Sequence, residues 1–374
     1  MIYFDNAATT KPTLEILKLH QRISNEYWYN TNSIHMLGQK ANGLLEQSIN
    51  VIKDTLNCKN KKVIFTSSAT TSNNLAIYGI CNSFIGQNKH IITSKIEHPS
   101  VLNCYKDLET KGFKVTYLSV NNQGNIDLNE LEQAITSDTI LISLMWVNNI
   151  IGSILPIKEV IKIVKKYPRL KFHLDGVGGI GKIKNDFNFD DIDLITFTPH
   201  KLHGLKGTGV LLVNNNITLI SNVKGGHQQY NFMPGTVDLA GAVCAAKTLK
   251  EAVLSIDNNY QKVSKIYHYL KNKLISNNNI IINSPDANYS VYNLNISFKN
   301  IKGETVVHFL EKDQIYISTT SACTATTKDL DKTLIATFND ESRAINAVRI
   351  SFSHENTIEE VDTLLEKIKE LETI

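Results

Sequence analysis

Short apolar runs alternate with longer stretches of helical spacing through the first two-thirds of the chain. The runs at 63–65, 90–93, 115–118, 140–145, 171–174, 193–197 and 210–213 have the length and composition of strands. Several are apolar at successive positions, the pattern of strands covered by helices on both faces. Segments near 71–84, 99–111, 128–135 and 156–166 carry helical patterning between them. This alternation predicts an α/β layer built on a mostly parallel sheet.

The alternation stops at 214–238, a stretch rich in Asn and Gly. Helix resumes near Leu239 and again from about Asn259 to Ser276. From about residue 280 the order changes to a strand at 291–298, a helix, a strand at 347–352 and a closing helix. Thr357 and Glu360 form a capping-box pattern there, and Ile358, Val361, Leu365 and Ile368 share one apolar face. The new order predicts a smaller α+β domain over 256–374. No internal repeat or long low-complexity linker interrupts the chain.

Composition narrows the functional classes. With 374 residues, 42% hydrophobic and 20% charged, the chain exceeds one typical domain and can bury sizeable cores, which excludes a disordered protein. A net charge of +3, without a dense basic stripe, gives no reason to expect a nucleic-acid partner. The segment Met1–Asp5 does not read as a signal peptide, and no apolar run approaches membrane-spanning length. Cys58, Cys81, Cys104, Cys244 and Cys323 are scattered and lack metal or redox spacing. No metal site is therefore expected, and a reducing, cytoplasmic location fits. Arginine occurs only as Arg22, Arg169, Arg343 and Arg349, so each is a candidate for binding carboxylate or phosphate through its planar fork.

The strand ends carry the chemistry. Thr198-Pro199-His200-Lys201, followed by Gly204 to Gly209, closes the strand at 193–197. A lysine desolvated there would lose its proton more easily, and only the neutral amine attacks a carbonyl; a solvated surface lysine is the alternative. Thr66 to Asn74 leads from a strand into a helix, where free N–H groups and hydroxyls either bind an anion or simply cap the helix. His98, after Glu97, could stack on a flat ring or move protons, or could cap the next helix. Asn148-Asn149 could bond a ligand hydroxyl or build a turn. Asp175 could pair with a protonated heterocyclic nitrogen or cap a helix. Cys323 lies among small residues, Ser321 to Thr326, which suit a travelling nucleophile; a buried inert thiol is the alternative.

Taken in order, these segments resemble the class-V aminotransferase group of pyridoxal-phosphate enzymes, and within it the cysteine desulfurases of the NifS/IscS type. The resemblance covers nearly the whole chain. It rests on Tyr3 to Thr10, Asn32 to His35 with Gly38, Ala69 to Asn74, Glu97-His98 and Val147 to Asn149 with Gly152. It continues through His173 to Asp175, His200-Lys201, Gly235-Thr236, Ser321 to Thr324 and Val348 to Ser351. It implies the fold type I of pyridoxal-phosphate-dependent transferases, with a large cofactor-binding domain over 15–255 and a small domain made of 1–14 and 256–374.

The resemblance also implies roles. Lys201 would hold pyridoxal 5'-phosphate covalently and move the substrate Cα proton. Asp175 would pair with the ring nitrogen, and His98 would stack on the ring and help in proton transfer. Ala69, Thr70, Thr198 and His200 would hold the phosphate, joined by Thr236 from the other subunit of a homodimer. Asn149 would bond the cofactor hydroxyl and the substrate carboxylate, and Arg349 would clamp that carboxylate. Cys323 would accept sulfur from L-cysteine and, as family members do by a mobile loop, pass it on to a protein acceptor; whether the loop at 318–327 is ordered stays open in the sequence.

Some positions depart from the family pattern. Gly178 stands where a Gln usually bonds the ring hydroxyl, Pro199 replaces a Gly, and Ile150 replaces a Glu. Gly225 to Met233 lacks the two arginines of the usual Gly-rich entrance segment, and relatives that serve a scaffold protein often extend beyond the equivalent of Ile374. Two other readings stay open. One is a class-V enzyme with another substrate, such as a selenocysteine lyase or an aminotransferase; the other is a degenerate assembly subunit.

Overall fold

The computed structural model describes residues 1–319 and 330–372, so Cys323 lies outside the described residues. The seven expected strand runs form one seven-stranded sheet. Its order is Lys61–Thr66, Gly209–Asn214, Leu194–Phe197, Lys171–Asp175, Thr139–Met145, His90–Ser94 and Lys114–Leu118. All neighbours pair in parallel except Gly209–Asn214, which runs antiparallel to both of its partners. Three of these strands, His90–Ser94, Thr139–Met145 and Leu194–Phe197, are buried along their whole length, as strands covered on both faces should be.

The expected helices form as Ala69–Cys81, Pro99–Thr110, Leu128–Ala134 and Ile157–Val164. Local chemistry starts them: Ser68 accepts from the Thr71 N–H, His98 from the Ser100 N–H, and Asp127 from the Asn129 N–H. Two further helices, Leu14–Glu26 and Met36–Thr55, were not anticipated from the sequence; they pack against Leu239–Leu254.

A second, antiparallel sheet follows in the order Ser318–Thr319, Ala347–Ser351, Asn293–Phe298 and Ile280–Ile282. The N-terminal strand Ile2–Tyr3 pairs in parallel with Ile315–Tyr316. Phe4, Tyr267, Leu294, Phe298 and Phe352 fill a core on this side that is separate from the core around the large sheet. The closing helix Ile358–Leu371 has its full capping box, but its buried stripe is Val361, Leu364, Ile368 and Leu371. Leu365, expected on that stripe, is only partly buried and packs against the margin of the same core.

Residues 215–238 form no helix or strand beyond a single turn at Gln229–Asn231. That turn nonetheless closes the outer edge of the large sheet. Gln229 Oε1 accepts from the Phe65 N–H at 2.6 Å, and its Nε2 donates to the Phe65 carbonyl at 2.9 Å. A side-chain amide thus takes the place that a neighbouring strand would fill.

Candidate active site

The strand direction brings the chemistry to one edge. Thr66, Ser94, Met145, Asp175 and Phe197 all end strands that point the same way, and the segments beyond them surround a cavity of about 320 Å³. A crevice beyond the carboxyl ends of such strands is the usual ligand site of an open α/β sheet. Ala69, Thr70, His98, Asn149, Asp175, Thr198, His200, Lys201 and Arg349 all line it. Thr236 does not line it; it is exposed on the same chain.

Lys201 ends the short helical turn Pro199–Lys201. Pro199 occupies the first position of that turn, where its missing N–H costs nothing, and its carbonyl accepts from Leu202 at 2.8 Å and Gly204 at 3.0 Å. The Lys201 Nζ donates to the carbonyls of Ala7 and Ala8, the latter at 2.7 Å. His200 Nδ1 lies 3.1 Å from the Thr9 hydroxyl, and burial together with the neighbouring Lys201 brings its imidazole down to about 4. His200 is therefore neutral at ordinary pH.

Asp175 is nearly inaccessible. Its Oδ2 accepts from Asn73 Nδ2 at 2.8 Å and its Oδ1 from the Val177 N–H at 3.1 Å. Asn73 Nδ2 also donates to Ser100 Oγ at 2.9 Å, and Ser100 Oγ lies 2.8 Å from His98 Nδ1. The same Nδ1 accepts from the Ser100 N–H at 3.1 Å, so it is unprotonated and the neutral ring carries its hydrogen on Nε2. Burial lowers the His98 pKa, and the Asp175 carboxylate opposes that shift. His98 is thus both the helix cap and a wall of the cavity.

The phosphate candidates divide. In the first turn of Ala69–Cys81 the Thr71 N–H is taken by Ser68, while Ala69 and Thr70 stand at the cavity. Gly209 makes this approach possible, since a Cβ there would meet the Ser68 carbonyl at 2.2 Å. The Thr198 hydroxyl, by contrast, donates to the Thr208 carbonyl at 2.8 Å and ties the loop to the next strand.

The paired asparagines also divide. Asn148 is fully buried and builds the turn, its Oδ1 accepting from the Ile150 and Ile151 N–H groups at 2.9 Å each. Asn149 faces the cavity, and its backbone carbonyl accepts from Arg349 Nη1 at 3.1 Å. Of the other arginines, Arg343 holds the second sheet together through Asn283 and the Ile282 carbonyl at 2.9 Å.

Asn73, Ser100, Asp5, Glu97 and Lys182 join the site without having been assigned roles from the sequence. Glu97 is buried, with Oε1 accepting from Ser94 Oγ at 2.6 Å, and burial pushes its carboxyl up to about 8. Burial, with Lys201 and Arg349 nearby, brings Lys182 down to about 7; its ammonium lies 5.4 Å from the Tyr292 ring centre. Helix and loop membership hid these residues, because their function depends on what the fold places opposite them.

The donor set suits a flat heteroaromatic aldehyde bearing a phosphate. It offers an amine at Lys201, an anchored carboxylate at Asp175, a helix N-terminus at Ala69 and an imidazole wall at His98. Position 178 contributes only backbone: a Cβ on Gly178 would lie 2.6 Å from the Val147 carbonyl, so this backbone does not accommodate the glutamine of the resembling pattern.

A sequence profile described as Aminotransferase class-V matches residues 2–364, and the chain belongs to that family. Its similarities run to the NifS/IscS branch. A NifS/IcsS protein homolog of Lactobacillus delbrueckii subsp. bulgaricus is 40% identical, across 99% of this chain and 97% of that one. Cysteine desulfurase IscS of Dictyoglomus turgidum is 33% identical, across 99% of this chain and 94% of its own length. A solved NifS-like protein superposes with a TM-score of 0.91 at 34% identity, covering 100% of this chain and 99% of that one.

Proposed function

We propose that the chain is a cysteine desulfurase that uses pyridoxal 5'-phosphate to convert L-cysteine to L-alanine and leaves the sulfur as a persulfide on Cys323. The observation that carries this reading is the convergence of Lys201, Asp175, His98 and Arg349 on one cavity, in a chain whose full-length relatives bear that name.

When bound, the cofactor supplies an electron sink for negative charge developing at the substrate Cα. Lys201 would hold it, and the freed amine would move the Cα proton. Asp175, kept in place by Asn73 and the Val177 N–H, would keep the ring nitrogen protonated. His98 would supply the ring contact, with its proton on Nε2. Ala69 and Thr70 would meet the phosphate together with His200, while Thr198 would contribute through the loop that it fastens. Arg349 and Asn149 would fix the substrate carboxylate, which orients the Cα–H bond toward Lys201.

Sulfur transfer is redox-balanced. The Cys323 thiolate bonds to the substrate sulfur as the substrate C–S bond breaks. The bonding pair stays on carbon and is protonated, so L-cysteine and a thiol become L-alanine and a persulfide. A protein acceptor then takes the outer sulfur.

The same proposal includes a homodimer in which Thr236 reaches the neighbouring site, as its exposure on its own chain allows. Exposed Leu14, Leu17, Trp28, Ile34 and Met36 supply apolar surface suited to such a contact. It also includes the division into 15–255 and the combined 1–14 and 256–374, and a cytoplasmic location. Among the described residues no helix is long and apolar enough to cross a membrane.

The test loads the purified protein with pyridoxal phosphate and supplies L-cysteine and a reductant, with Cys323→Ala beside it. Alanine and sulfide from the parent and not the variant support the desulfurase reading. Alanine from both removes Cys323 from the mechanism. Alanine from neither, with the cofactor bound, shifts the assignment to another substrate or to a subunit that needs its partner.

A further inference from the structure

Arg349 is 5% exposed, yet its fork is only partly used. Nη1 donates to the Asn149 carbonyl at 3.1 Å and Nη2 to Asp5 Oδ1 at 2.9 Å. Nε is buried and has no partner among the described residues. A buried guanidinium with an unsatisfied donor beside a cavity points to a ligand that completes it. The two contacts that exist come from separate elements. Asn149 belongs to the loop after Thr139–Met145 of the large sheet, and Asp5 to the N-terminal segment laid along Ala347–Ser351.

Asp5 is unusually well fixed for a residue near a chain terminus. The Ser351 N–H donates to the Phe4 carbonyl at 2.7 Å, and the Ala7 N–H donates to Ser351 Oγ at 2.8 Å. Phe4 is fully buried, and Asn6 Nδ2 donates to the Ser351 carbonyl at 3.0 Å. The backbone on both sides of Asp5 is therefore stitched to the strand that carries Arg349. Asp5 is the carboxylate that pairs with Arg349 among the described residues.

We propose that Asp5 is a positioning residue for substrate-carboxylate recognition: with the Asn149 carbonyl it sets the plane of the Arg349 guanidinium, so that the remaining N–H groups meet an amino-acid carboxylate in a fixed orientation. The inference rests on the proposed function and assigns the N-terminal segment a part in it. A planar fork recognises a carboxylate through two parallel bonds only when its own torsions are fixed. Two anchors on separate elements provide that fixity, and the one from Asp5 also supplies the counter-charge that a buried guanidinium needs.

The test uses the cofactor-loaded protein and measures binding of L-alanine, which has the carboxylate but no sulfur, beside ethylamine, which lacks the carboxylate. Steady-state kinetics with L-cysteine accompany it. Asp5→Ala should weaken L-alanine binding and raise the KM for L-cysteine by about tenfold, the scale of one lost charge-assisted bond. Ethylamine binding and kcat should stay within about twofold. Asp5→Asn keeps an oxygen acceptor but not the charge and should recover only part of the affinity. Asp5→Glu keeps the charge but displaces it and should weaken L-alanine binding, which preserves the test if the alanine variant does not fold. L-Alanine binding unchanged in both Asp5→Ala and Asp5→Glu overturns the inference, as does an equal loss for ethylamine. A parent protein that binds no L-alanine overturns the inference and the proposed function together; a parent that binds it with unaffected variants overturns the role of Asp5 alone.

Discussion

Asn73 Nδ2 donates to Asp175 Oδ2 at 2.8 Å, joining the first helix beyond the outer strand to the end of the central strand Lys171–Asp175. The same nitrogen reaches Ser100 Oγ, and through it the Nδ1 of His98. One buried amide thus sets the direction of a carboxylate and holds the serine hydroxyl that lies against an imidazole, whose tautomer the Ser100 N–H fixes. Asn73→Leu should remove both of its contacts. Asp175 loses a donor in a buried setting, at a cost of about 1–3 kcal/mol. A lower thermal midpoint, together with weaker pyridoxal-phosphate binding in a spectroscopic titration, checks this. A variant with both quantities unchanged would show that Asp175 does not depend on Asn73.

Glu97 gives the fold a pH dependence of predictable sign. Burial raises its carboxyl from the ordinary range to about 8 in the folded protein, so the fold favours the protonated form. Its contribution is fully present below the unfolded value of about 4.5 and is lost as pH rises through about 8. The thermal midpoint of the parent should fall, relative to Glu97→Gln, as pH is raised across that window. Parallel curves for the two proteins would remove Glu97 from the account.

The edge contact of Gln229 is open to a local measurement. Its amide supplies both the acceptor and the donor that Phe65 lacks on the outer side of Lys61–Thr66. Gln229→Ala should cost about 1 kcal/mol, since water can partly replace the lost partners at an edge. It should also speed hydrogen exchange at the Phe65 amide while leaving the central strands protected. Unchanged exchange at Phe65 would mean that the contact is not maintained in solution.

Much of the fold was legible because it is written locally. The seven strand runs were marked by continuous apolar sequence, and all seven entered one sheet. The capping box of Thr357 and Glu360 formed as its spacing required. Helices Leu14–Glu26 and Met36–Thr55 were not legible. Their apolar residues reach the core chiefly by packing against Leu239–Leu254, more than 180 positions further along the chain.

The sequence by itself determined which groups stand at the strand ends: Lys201 after one strand, Asp175 on another, Ala69 and Thr70 opening a helix, Arg349 on a late strand. Periodicity marks where a strand stops, and polar residues beyond an apolar run are visible without coordinates. Only the tertiary structure decided how those groups are held. It separated Asn148, which builds a turn, from Asn149, which faces the cavity. It turned the Thr198 hydroxyl onto Thr208, and it brought Asp5 to Arg349 and Asn73 to Asp175. Such choices depend on contacts between residues as many as 344 positions apart, where burial forces each polar group to find a partner. No local pattern encodes that partner, because it is chosen by which elements the packed sheets bring face to face.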